Sequence, residues 1–123
     1  MTRALVLMGS GETSPTMVTP HQNILKEING PKLILDTPYG FQENADELSS
    51  RIESYFSVNV GHKTEPIKLR SKGANSSELA AAISQINSAE WVFTGPGSPT
   101  YALDTWKSTG ASEALKALLN RGT

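Results

Sequence analysis

No cysteine occurs in the 123 residues, so they cannot build a disulfide, a thiolate metal site or a cysteine nucleophile. Net charge is nearly absent too: 11 Lys and Arg face 12 Asp and Glu, a formal charge of -1. Without an excess of cations there is no field to recruit phosphate backbones or anionic lipid, and neither nucleic acid nor a membrane surface is expected as a partner. Aromatics make up only 7% of the chain. Trp91, Phe93, Tyr101 and Trp106 read as core and sheet-face packing, because no basic groove accompanies them to make a base-stacking platform. Long hydrophobic runs are missing as well. The run Ala4-Leu5-Val6-Leu7-Met8 stops at Gly9, too short for a signal segment or a membrane span, and a cytoplasmic, reduced setting is expected. His21 and His62 stand apart from any cluster of acidic ligands, so no metal site and no cofactor are expected.

What is present is an alternation. Hydrophobic residues form 37% of the chain, enough for the modest core of one domain over residues 1–123. Four apolar runs, Arg3 to Met8, Lys32 to Asp36, Pro66 to Leu69 and Glu90 to Thr94, are each bounded by Gly, Pro, Asn or Ser and read as strands. Between them lie helical patterns. Glu43 to Val58 repeats Ala45, Leu48, Ile52, Tyr55 and Phe56 at three- and four-residue steps. Ser76-Ser77-Glu78 opens a helix to about Asn87, with a serine hydroxyl as its expected cap. Pro15 and Pro20 delay the first helix to about Thr19, from where it runs to Asn29-Gly30. A short helix through Leu103 and Trp106 and another from Ser112 to Asn120, capped by Gly122, complete the pattern. Strands alternating with helices imply a parallel sheet with helices on both faces, an α/β fold with about four strands. The polar stretch Lys63 to Asn75 is expected to be the most exposed and chemically idle. The chain stops at Arg121-Gly122-Thr123, where a fifth strand is due, so the expectation is the N-terminal part of a single domain, truncated. An unpaired edge on the fourth run then predicts a homo-oligomer.

Ligands of parallel α/β sheets sit beyond the carboxyl ends of strands, which directs attention to three loops. Gly9-Ser10-Gly11-Glu12 follows the first run, where small residues let amides approach an anionic or carbonyl group, or simply turn the chain tightly. A dinucleotide fingerprint is disfavoured there, since Pro15 and Pro20 deny the pyrophosphate an immediate helix N-terminus. Asp36 closes the second run and is a candidate acid, ligand holder or loop brace, bracing being the commoner role. Gly95-Pro96-Gly97-Ser98-Pro99 follows the fourth run. Its glycines free amides to stabilise an oxyanion, while Pro99 equally suits a rigid turn into a helix.

Taken together, Leu5-Val6-Leu7-Met8-Gly9-Ser10-Gly11-Glu12, Leu35-Asp36-Thr37-Pro38, Asn44-Ala45-Asp46 and Phe93-Thr94-Gly95-Pro96-Gly97-Ser98-Pro99-Thr100 resemble the N-terminal half of proteins related to cyanophycinase and α-aspartyl dipeptidase, within the class I glutamine amidotransferase-like superfamily. The resemblance spans nearly the whole chain. It implies a flavodoxin-like three-layer α/β/α sandwich whose fourth-strand loop donates oxyanion-hole amides, mapped here to Gly97 and Ser98 with Gly95 beside them. Pro96 and Pro99 depart from the family pattern. The resemblance places the nucleophile, a serine in the peptidases or a cysteine in the amidotransferases, on an elbow after the next strand, outside residues 1–123. Its implied function is amide or peptide hydrolysis with a small-molecule or peptide substrate, the chain alone being inactive. A noncatalytic small-molecule or anion-binding domain is the alternative. Gly9, Gly11, Glu12, Asp36 and Gly95 are the candidate binding residues.

Overall fold

Lys32-Leu33-Ile34-Leu35 carries apolar side chains on both of its faces, the pattern of a parallel strand covered on two sides, and it forms the central strand β1 (Lys32–Leu35). The computed structural model describes residues 4–8, 10–71, 73 and 75–121. On one side β1 pairs with β2 (Glu65–Ile67), and on the other with β3 (Trp91–Thr94). Both pairings are parallel, with Leu33 opposite Glu65 and Val92, and Leu35 opposite Ile67 and Thr94. Among the described residues three strands thus stand in the order β2-β1-β3.

Because successive strand residues point to opposite faces, the core divides in two. Leu33, Leu35 and Ile67 meet α3 (Ser76–Ser88) and α5 (Ala111–Arg121) through Ala82, Ile86, Ala111 and Ala114. Ile34 and Phe93 meet α1 (Val18–Leu25) and α2 (Ala45–Ser54) through Leu25, Ala45 and Ile52. The architecture is α/β with a helical layer on each face of a parallel sheet. α4 (Pro99–Thr109) links β3 to α5.

Local chemistry sets the boundaries. A single 3-10 turn at Pro15–Met17 precedes α1, since Pro15 supplies no amide and fixes its own backbone angle. α2 runs into a π-helical turn, Tyr55–Val60, closed by Gly61 at φ 89°, where the amides of Gly61 and His62 both donate to the Phe56 carbonyl (2.7 and 2.9 Å). The cap of α3 is Asn75, one residue before the expected serine: its side-chain oxygen accepts from the Glu78 amide at 2.9 Å. An Asx side chain reaches the third amide of a helix from the residue before the first turn, and Ser76 already lies inside that turn. Ser98 caps α4 in the same way, accepting from the Tyr101 amide at 3.1 Å, with Pro99 in the first turn. The cap expected at Gly122 lies outside the described residues.

Among the described residues one expected strand is not formed. Residues 4–8 enter no ladder, so three strands are seen where four were expected. Apolar composition makes a segment fit for a buried strand, but a strand exists only when a neighbour takes its peptide hydrogen bonds. Among the described residues nothing pairs with 4–8, and Leu5 and Leu7 stay 70% and 86% exposed.

Candidate functional site

The carboxyl ends of β1, β2 and β3 converge on one rim, where buried polar groups tie the loops together. Asp36, buried at the end of β1, accepts from the Leu69 amide through Oδ1 (2.8 Å) and from Arg70 Nε through Oδ2 (2.7 Å). Its carboxylate therefore braces the loop after β2 through a charge-assisted pair. Arg70 extends to Asp46 in the first turn of α2, where Lys68 also approaches at 3.6 Å. Beside it, Thr37 Oγ1 donates to the Leu69 carbonyl (2.7 Å) and accepts from Trp106 Nε1 (2.9 Å). Tyr101 O–H donates to the Arg70 carbonyl. Two residues of α4 are thereby anchored to the loops after β1 and β2.

The loop after β3 is held by contact as much as by bonding. Ser98 donates its amide to the Pro38 carbonyl at 2.8 Å. Gly97 sits at φ 147° directly over that carbonyl, so a Cβ there would overlap it. Gly95 is pressed by Ile52 and Tyr39, whose nearest atoms would lie 3.0 and 3.1 Å from a Cβ. Tyr39 in turn shares a buried hydrogen bond with Ser49 (2.8 Å). Burial raises the Tyr39 phenol above its ordinary 10.0, and the nearby Asp36 charge pushes the same way.

Among the residues singled out from the sequence, Asp36, Gly95, Gly97 and Ser98 come together on this rim. The Ser98 amide is already committed to Pro38, whereas no described group accepts from the Gly97 amide. Gly11 adopts φ 71° and accepts from the Ser14 amide (2.9 Å) in a turn. The backbone carbonyl of Glu12 accepts from His21 Nε2 at 2.7 Å, and Tyr55 O–H holds the Ser14 carbonyl at 2.8 Å. Gly9 lies outside the described residues. His21 is enclosed by Tyr55, Phe56 and Phe93, each approached edge-on.

Several participants carry little signal in the sequence. Arg70 lies in the polar stretch Lys63 to Asn75, expected to be chemically idle, and its place just past β2 in a parallel sheet is the signal that points to it. Tyr39 and Trp106 carried no signal beyond aromaticity. Among the described residues no group of three or more His, Asp or Glu could hold a metal ion, and no helix is long and apolar enough to cross a membrane. No protein-family model, no curated protein and no solved structure matches the chain.

Proposed function

We propose that these residues supply the scaffold and one oxyanion-hole amide of an amide or peptide hydrolase of the class I glutamine amidotransferase-like kind. The flavodoxin-like arrangement and a cytoplasmic setting belong to the same reading. One observation carries it. The Pro38 carbonyl accepts from the Ser98 amide, and among the described residues nothing accepts from the neighbouring Gly97 amide. When a nucleophile attacks a substrate carbonyl, the oxygen gains charge, and a donor fixed beforehand stabilises that charge without reorganising. Gly97 is that donor in this reading; Ser98 caps α4 and holds the turn. Asp36 and Arg70 keep the facing loops in place and take no part in bond making. The nucleophile, serine or cysteine, comes from outside residues 1–123.

The test is to express the whole reading frame that contains this chain and to assay hydrolysis of asparagine-like amides and aspartyl dipeptides. Gly97→Ala, which displaces the amide, is expected to lower kcat by about 10²-fold or more with KM little changed. Turnover unaffected by that change would remove Gly97 from the mechanism. Ligand binding with no turnover of any amide would replace the enzyme with the noncatalytic binding domain.

A further inference from the structure

A cavity of about 240 Å³ runs along the side of β3 that faces away from β1. Its floor is Trp91, Val92, Phe93 and Thr94, one wall is His21 and Ile24 of α1, and the other is Leu115, Leu118 and Leu119 of α5. An edge roofed by a helix on each face is a slot shaped for one more strand. Among the described residues β3 pairs only with β1, so its outer peptide groups face that slot. Ala4, Leu5, Val6 and Met8 border the same cavity.

We propose that Ala4–Met8 is a strap that closes into this slot as a fourth parallel strand beside β3. Three independent features agree. The first is composition: five successive apolar residues suit a strand covered on both faces, and in solvent they leave Leu5 and Leu7 largely exposed. The second is alternation. Met8 already packs against the α1-side cluster, so Ala4, Val6 and Met8 turn toward α1, and Leu5 and Leu7 turn toward Leu115, Leu118 and Leu119 of α5.

The third is handedness. The crossover from β1 through α2 to β2 moves toward the β2 edge on the α2 face. A strap beside β3 joined to β1 through α1 moves in the same direction on the same face, and so has the same hand. A strap beside β2 would need the opposite hand, which parallel sheets avoid.

The strap's far end is already fixed, because His21 holds the Glu12 carbonyl and Tyr55 holds that of Ser14. His21 lies in the first half of α1, which descends from the rim toward the start of β1. A run that leaves the slot at Glu12 therefore climbs in the direction of β3. Tethering of this kind gives the strap a high effective concentration at the slot. Closure also brings Ser10–Glu12 beside the loop after β3, so strap position and rim geometry are coupled. The proposal does not depend on hydrolase activity.

Trp91 and Trp106, the only two tryptophans in the chain, border the slot and report on it. Because the chain has no cysteine, engineered pairs are read without background. Leu5→Cys with Val92→Cys and Leu7→Cys with Val92→Cys place thiols on the α5-facing side, and Val58→Cys with Val92→Cys is the control. Closure predicts that one of the first two pairs oxidises within the molecule about 100-fold faster than the control. It also predicts amides of residues 5–8 slowed at least about tenfold in hydrogen exchange, and a red-shifted, more quenchable tryptophan emission in Leu5→Asp/Leu7→Asp. Neither pair closing faster than the control, with unprotected amides, overturns the strap. So does a predominance of disulfides between molecules together with a dimer in light scattering, which would give the slot to a second copy.

Discussion

The two flanks of the sheet are held in different ways. On the β2 side, the loops after β1 and β2 are joined by Asp36, Thr37 and Arg70 through directional bonds between 2.7 and 2.8 Å, two of them to a buried carboxylate. On the β3 side, apolar surfaces border an open slot, and among the described residues the Ser98–Pro38 bond is the one backbone bond that ties the loop to its neighbour after β1. A polar lock tolerates one geometry, because any departure leaves a charge without its partner. An apolar border tolerates several, since contact area does not depend on register. The first flank is built to be fixed, and the second has room to change.

Breaking the lock gives the largest effect. Asp36→Ala orphans the Leu69 amide and half of the Arg70 guanidinium, and is expected to lower stability by about 3 kcal/mol in urea unfolding, with the loop after β2 losing amide protection. A loss below about 1 kcal/mol would mean that the two flanks do not differ as described. Next comes Gly97→Ala on the other flank. The left-handed backbone and the Pro38 carbonyl together make a strained site, worth about 2 kcal/mol. Its damage is expected to stay local, shifting exchange in the loop after β3 while the Asp36 network persists.

How far the sequence led follows the same division. Alternating apolar runs and helical periods located β1, β2, β3 and most helix bounds to within a few residues, because buried faces leave a periodic trace, but α1 ends at Leu25, short of the expected Asn29-Gly30. The strand expected over Arg3 to Met8 failed as a ladder in the described residues, since pairing depends on a partner edge and periodicity carries no record of one. At the rim, Asp36 and the glycines of Gly95 to Gly97 were visible as unusual residues at strand ends. Arg70 was hidden because its role comes from a partner 34 positions away in sequence. The α3 cap lies one residue before the expected serine, because Asn75, Ser76 and Ser77 are all competent caps and only the backbone turn selects among them.

Tyr39 offers a milder probe that bridges the flanks, touching Gly95 on one and bonding Ser49 of α2 on the other. Tyr39→Phe leaves the Ser49 hydroxyl buried without its partner and is expected to cost about 1–2 kcal/mol. The phenol's raised pKa sets the sign of a pH effect. In the fold the neutral form is favoured, so the stabilisation is fully present below the unfolded value of 10.0 and is lost as pH rises through the higher folded value. Unfolding midpoints should therefore fall at alkaline pH in the parent chain and fall less in Tyr39→Phe. Equal alkaline slopes would mean that Tyr39 ionises without penalty.

The smallest effect separates the buried end of the Arg70 network from its exposed end. Asp46 is 73% exposed at its side chain, and the Arg70 hydrogen bond and charge, with a contribution from Lys68, hold its carboxyl below the ordinary 3.8. A depressed carboxylate stabilises the fold above its unfolded pKa and loses that contribution as pH falls through the lower folded value. Asp46→Asn should then flatten the acid limb of the stability profile slightly, and the difference from the parent should vanish in high salt, where exposed pairs are screened. The Asp36→Ala loss should survive the same salt. If both substitutions were equally salt-sensitive, the Asp36–Arg70 pair would be acting as a surface charge pair, and the contrast between a locked flank and an adaptable one would lose its physical basis.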